Sequence, residues 1–210
     1  MNTRTRVKIC GITRPDDGIE AARLGVDAIG LVFYEKSPRN VSIEQARVIC
    51  EALPGFVTVV SLFMNPDAEQ VNKVLAACAI DLIQFHGTES ADFCQSFDRP
   101  YIKAVGMAGN EKLVDAMQQY STAKALLLDS HVSGAAGGTG ETFDWNAIPQ
   151  QYRNSVILAG GLKPDNVAAA IRKVQPYAVD LSSGVESEPG IKDAALMVQL
   201  MNEVREVNCE

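Results

Sequence analysis

The chain has 210 residues, 47% hydrophobic and 21% charged, with a formal net charge of −7. That length suits one domain, here expected over residues 1–210, and the composition supports a packed core and excludes a disordered chain. The acidic balance lacks any Lys/Arg-rich stripe, and the longest apolar runs have the length of a buried strand, well short of the roughly 20 residues of a membrane span. The opening Met-Asn-Thr-Arg-Thr-Arg leads into a strand-like run and not a signal-peptide core. The expectation is a soluble, cytoplasmic protein with neither nucleic acid nor membrane as partner.

Short β-branched runs alternate with amphipathic stretches from one end to the other. Strands are predicted at 6–10, 28–33, 57–63, 82–85, 101–105, 125–129, 156–159 and 178–181. Helices are predicted at 15–24, 43–53, 68–78, 91–97, 111–119, 164–174 and 193–204, with 143–148 the only helical candidate after strand six. Pro15 with Asp16 and Asp17 suits a first helical turn, where a fixed φ and negative charge are both favoured. Ser42 with Gln45 three residues on matches a capping box, and Pro66-Asp67 and Pro164-Asp165 mark two more helix starts.

Strand–helix alternation implies a parallel sheet, because parallel strands need crossover connections. A dinucleotide fold would place GxGxxG after strand one; Cys10-Gly11-Ile12-Thr13 stands there instead. Eight units of about 26 residues fit a compact closed (β/α)8 TIM barrel of the α/β class. The glycine-rich stretch 133–142 would split that barrel six to two if it were a linker, so it reads as a mobile active-site loop. Oligomeric state leaves no signal, since barrel helices are half exposed with or without a partner.

Of the five cysteines, Cys10, Cys50, Cys78, Cys94 and Cys209, none forms a CxxC pair, and no nearby His completes a metal-ligand set. Zinc is therefore not expected, and the odd, widely spaced count reads as reduced thiols. Cys50, Cys78 and Cys94 read as small apolar filler on helices.

In this fold the chemistry sits at the C-terminal ends of the strands. The polar residues there are Cys10, Gln84 and His86, Asp129, Gly160-Gly161, and Asp180 with Ser182-Ser183-Gly184. The glycines after strands seven and eight either make tight turns or let backbone N–H groups approach a phosphate, whose usual site in this fold is there. Cys10 and Asp129 end strands one and six, so they can address opposite sides of a small substrate. Each also has a plain structural reading: Cys10 as an inert buried residue, Asp129 as a cap. Arg39, in the loop after strand two, either clamps a carboxylate bidentately or is solvated. Lys8 lies one layer below Cys10 and needs a partner; strand eight closes on strand one, which makes Asp180 the nearest. Lys8 is then placed to lower the Cys10 pKa, as a thiolate base requires. His131, beyond Asp129, reads as solvated.

These segments resemble one family along essentially the whole chain. Val7-Lys8-Ile9-Cys10-Gly11-Ile12-Thr13, Ser37-Pro38-Arg39, Gln84-Phe85-His86-Gly87, Leu128-Asp129-Ser130, Gly137-Gly138-Thr139-Gly140, Leu158-Ala159-Gly160-Gly161-Leu162 and Val179-Asp180-Leu181-Ser182-Ser183-Gly184-Val185-Glu186 are similar to those of phosphoribosylanthranilate isomerases, enzymes of tryptophan biosynthesis. The resemblance implies a general base at Cys10, a general acid at Asp129, an anthranilate-carboxylate contact at Arg39, and a phosphate cradle at Gly160, Gly161, Ser183 and Gly184. It also implies an Amadori rearrangement of a small phosphorylated substrate without a cofactor.

Two rivals share the barrel. The histidine-pathway isomerase resembles two repeated half-barrels with an aspartate at the end of strand one, where this chain has Cys10 and no half repeat. A non-catalytic phosphate-binding barrel would keep the glycines without needing Cys10 or Asp129.

Overall fold

The computed structural model describes residues 4–107, 110–130 and 143–209. The predicted loop 133–142, the glycine motif 137–140 and His131 lie outside them. Eight parallel strands close into a barrel in sequence order: β1 (Arg6–Cys10), β2 (Ala28–Phe33), β3 (Thr58–Phe63), β4 (Leu82–Phe85), β5 (Tyr101–Gly106), β6 (Leu126–Asp129), β7 (Val156–Leu158) and β8 (Ala178–Leu181). The seam is the β1–β8 pairing, which sets Lys8 opposite Asp180.

The period of two along each strand makes two cores. Val60, Ile102, Ala104, Leu127, Ile157, Ala159 and Ala178 fill the barrel interior. The alternate positions, Val7, Ile9, Ile29, Leu31, Phe63, Phe85 and Val179 among them, pack outward beneath the helices. Phe33 stacks on Phe63 at 5.4 Å between centroids, and Phe85 meets Phe93, Phe97 and Tyr101 in the same outer layer. Truncating a ring such as Phe63 would cost about 3–5 kcal/mol.

The covering helices are α1 (Pro15–Arg23), α2 (Ile43–Ala52), α3 (Ala68–Ala77), α4 (Ala91–Gln95), α5 (Asn110–Gln119), α6 (Pro164–Val174) and α7 (Ala194–Asn208). Their starts follow the local chemistry. Pro15 and Pro164 occupy first turns, and Ser42 Oγ accepts from the Gln45 amide while Gln45 Oε1 accepts from that of Ser42. Asp67 and Asp193 cap α3 and α7. No described helix is long and apolar enough to cross a membrane.

Three departures from the expected elements matter. Between β6 and β7 the described chain forms two 3-10 turns, Trp145–Ala147 and Gln150–Ser155, where one helical segment at 143–148 was expected. Helix α4 stops at Gln95, two residues early, as Ser96 Oγ donates to the Phe93 carbonyl. Between β8 and α7 an unanticipated hairpin pairs β9 (Glu186–Glu188) with β10 (Ile191–Lys192), turning through Gly190 at φ +85°.

Candidate active site

At the C-terminal rim, two adjoining cavities share Asp129, Asp180 and Ser182. One is walled by Val32, Tyr34, Pro38, Leu62 and Met64 and also reaches Cys10, Arg39, Gln84 and His86. The other is lined by Ala159–Leu162 and Leu181–Ser183, the turns after β7 and β8. The structure thus gathers Cys10, Asp129, Arg39, Gln84, His86, Asp180, Gly160, Gly161 and Ser183 around one composite opening.

Cys10 ends β1 with its side chain inside the barrel. Gly30 on β2 makes room for it: a Cβ there would stand 2.7 Å from Cys10 Sγ. One layer below, Lys8 Nζ donates to Asp180 Oδ1 at 2.9 Å. Burial pushes the Cys10 thiol above its ordinary pKa; Lys8 and Lys192 pull it down, and Asp180 pushes with the burial. Lys8 acts on the thiol in the expected, lowering sense, and desolvation outweighs it. Burial likewise raises Asp180, with Lys8 opposing and Asp129 adding to the rise.

Across the barrel, Asp129 ends β6 beside Gly106 of β5. Its Oδ2 lies 3.5 Å from His86 Nε2, and Ser130 Oγ donates to its Oδ1 at 3.4 Å. Gln84 Nε2 and His86 Nδ1 are 3.0 Å apart, so a Gln84 amide hydrogen donated to Nδ1 leaves the ring proton on Nε2, facing Asp129.

Arg39 is neither solvated nor free. Its Nε and one terminal nitrogen donate to the two oxygens of Glu186 at 2.8 and 2.7 Å. Glu186 in turn accepts from Lys192 Nζ at 2.6 Å. Burial alone would raise Glu186, but Arg39 and Lys192 hold it below the usual carboxylate range.

The glycine turns serve close approach. Gly160 and Gly161 have φ of +81° and +64°, and a Cβ on Gly160 would stand 2.5 Å from the Ser130 amide nitrogen. A Cβ on Gly184 would overlap the Leu162 carbonyl oxygen, so the turns after β7 and β8 touch there. Among the described residues no group of three or more His, Cys, Asp or Glu stands close enough to hold a metal.

Sequence reasoning passed over Lys192, gave Glu186 no role, and did not see that Gly30 houses the thiol. Lys192 lies in a two-residue strand with no motif around it. Glu186 sits at the end of the strand-eight motif, and that position was the available signal.

The N-(5'-phosphoribosyl)anthranilate isomerase family model matches residues 7–203. The chain belongs to this family. A relative named N-(5'-phosphoribosyl)anthranilate isomerase from Nitrosococcus oceani is 53% identical over 98% of this chain and all of its own length. The solved phosphoribosyl anthranilate isomerase of Thermotoga maritima superposes with a TM-score of 0.87 at 38% identity, covering 96% of this chain and 99% of its own. A second solved isomerase, in complex with reduced 1-(o-carboxyphenylamino)-1-deoxyribulose 5-phosphate, has a TM-score of 0.85, 38% identity and the same coverage. Membership of the isomerase family gives the chain a reaction class, aldose–ketose isomerisation.

Proposed function

We propose that this chain catalyses the Amadori rearrangement of N-(5-phosphoribosyl)anthranilate, a step of tryptophan biosynthesis, with Cys10 as general base and Asp129 as general acid. The observation that carries the reading is the pair of joined cavities. Glycine turns suited to a phosphate line one, an arginine and an apolar wall suited to a carboxylated ring line the other, and Asp129 lies where they meet.

The substrate's phosphate sits at Gly160, Gly161, Ser183 and Gly184, and its anthranilate ring lies on the apolar wall with the carboxylate toward Arg39. Asp129 gives its proton to the ring oxygen. The C1–O bond breaks as the nitrogen lone pair forms C1=N, and the furanose opens to a Schiff base. Cys10 as thiolate then takes the proton from C2, and that electron pair neutralises the iminium to an enolamine. Ketonisation follows, C1 gaining a proton and the C2 hydroxyl losing one, so the product is an isomer of the substrate. Lys8 and Lys192 are the groups that favour the thiolate. Proton transfers of this kind contribute about 10²–10⁴-fold each.

One domain suffices for this chemistry. Five free thiols suit the reducing cytoplasm, where we place the enzyme. The test is turnover of N-(5-phosphoribosyl)anthranilate beside the aminoaldose phosphate of histidine biosynthesis. The expected kcat/KM favours the first; better turnover of the second overturns the substrate assignment, and turnover of neither overturns the enzyme.

A further inference from the structure

Lys192 is completely buried, and its ammonium has three partners: the Cys10 carbonyl at 2.7 Å, the Ser182 carbonyl at 3.2 Å and Glu186 Oε1 at 2.6 Å. Its own backbone N–H donates to Asp17 Oδ2 on α1 at 3.1 Å, which anchors the β9–β10 hairpin over the β1 end of the barrel. Three side chains thus form one buried line, Arg39–Glu186–Lys192, with side-chain exposures of 13%, 4% and 0%.

The charge count of that line is informative. Arg39 and Glu186 alone make a closed bidentate pair with no net charge, and a neutral pair exerts little pull on an incoming carboxylate. With Lys192 the line holds two cations and one carboxylate, one positive charge in excess. The surrounding chain is acidic, so this local excess has to come from within the site. Removing two cations and a carboxylate from water is costly, and a hydrophobic packing of the same volume would serve the fold equally well.

We infer that Lys192 is a positioning residue for substrate recognition: its buried charge offsets Glu186, so that Glu186 can orient the Arg39 guanidinium without cancelling its attraction for a carboxylate. Glu186 fixes the plane of Arg39, and Lys192 keeps the line net positive. Its hydrogen bonds to the Cys10 and Ser182 carbonyls tie this line to the ends of β1 and β8. The inference rests on the proposed contact between Arg39 and the anthranilate carboxylate.

The test measures the Kd of reduced 1-(o-carboxyphenylamino)-1-deoxyribulose 5-phosphate for four proteins: the unaltered chain, Lys192→Gln, Lys192→Gln with Glu186→Gln, and Arg39→Ala. Lys192→Gln neutralises the line and is expected to weaken binding about 10-fold, equivalent to about 1.4 kcal/mol. The double variant restores the single positive charge and is expected to recover to within about 3-fold of the unaltered chain. A purely structural Lys192 would make the double variant as weak as the single one or weaker, and that result overturns the inference. If Lys192→Gln does not fold, Glu186→Gln and the double variant carry the same comparison with no buried carboxylate left uncompensated. Tighter binding by Glu186→Gln than by the double variant then supports the inference, and equal binding by the two overturns it. Arg39→Ala separates the two levels. Unchanged binding there overturns the proposed carboxylate contact itself, and the inference with it. Weakened binding by Arg39→Ala with unchanged binding by Lys192→Gln overturns the inference alone.

Discussion

Lys8 and Asp180 form a buried ion pair at 2.9 Å directly beneath the Cys10 thiol, one from each strand of the barrel seam. The pair sets two opposing influences on the thiol: Lys8 favours the thiolate, Asp180 disfavours it, and burial exceeds both. Burial thus shifts formation of the Cys10 thiolate to higher pH than that of an exposed cysteine, and Lys8 limits the shift.

Iodoacetamide alkylation with peptide mapping reads this directly. The Cys10 rate is expected to climb at higher pH than that of free cysteine, and Lys8→Met is expected to move the profile higher still. Cys50 and Cys94, pushed up to about 11 and about 12, stay thiols over the working range. Losing Lys8 leaves Asp180 buried without its cation, at about 3–5 kcal/mol, so the variant is measured well below its melting temperature. A Cys10 profile identical with and without Lys8 would show that the lysine does not act on the thiol.

Gly30 is the second control on Cys10. The added methyl of Gly30→Ala would fall 2.7 Å from Sγ and 3.1 Å from the Cys10 Cα. Overpacking of this kind costs about 1–3 kcal/mol, and the thiol has to move. The expected outcome is a folded protein with a lower melting temperature and kcat down about 100-fold, since a misplacement of about 1 Å costs that much. Native kcat in a folded variant would show that the thiol position is not critical.

Gly184→Ala addresses the other end of the substrate. Its methyl would collide with the Leu162 carbonyl and drive the turns after β7 and β8 apart. A phosphate held equally in ground and transition states contributes to KM more than to kcat. KM is expected to rise about 10-fold with kcat within a few-fold, a difference of about 1.4 kcal/mol. An unchanged KM would place the phosphate elsewhere on the rim.

The frame of this molecule was legible because each strand announces itself by period. Leu82-Ile83-Gln84-Phe85 needs only alternation to put Gln84 inside and Phe85 outside, as found. Lys8 and Asp180 were placed together by barrel closure alone. What escaped was information carried by distance in sequence. Glu186 meets Arg39 across 147 positions, and Lys192 meets Cys10 across 182. No local propensity marks such a contact, and a two-residue strand is too short to show a period. The net direction of the Cys10 shift escaped for a related reason: neighbouring charges can be guessed from strand order, but the desolvation that outweighs them depends on packing from every side.

In the proposed mechanism Cys10 and Asp129 divide one proton-transfer reaction between them. The most direct measurement is single-turnover conversion of N-(5-phosphoribosyl)anthranilate by Cys10→Ser and Asp129→Asn, with the Kd of the reduced product analogue taken on the same samples. Each substitution is expected to slow conversion by about 10²–10⁴-fold or more while analogue binding stays within a few-fold of the unaltered chain. Undiminished conversion by either variant would contradict the assignment of that residue, and undiminished conversion by both would contradict the mechanism.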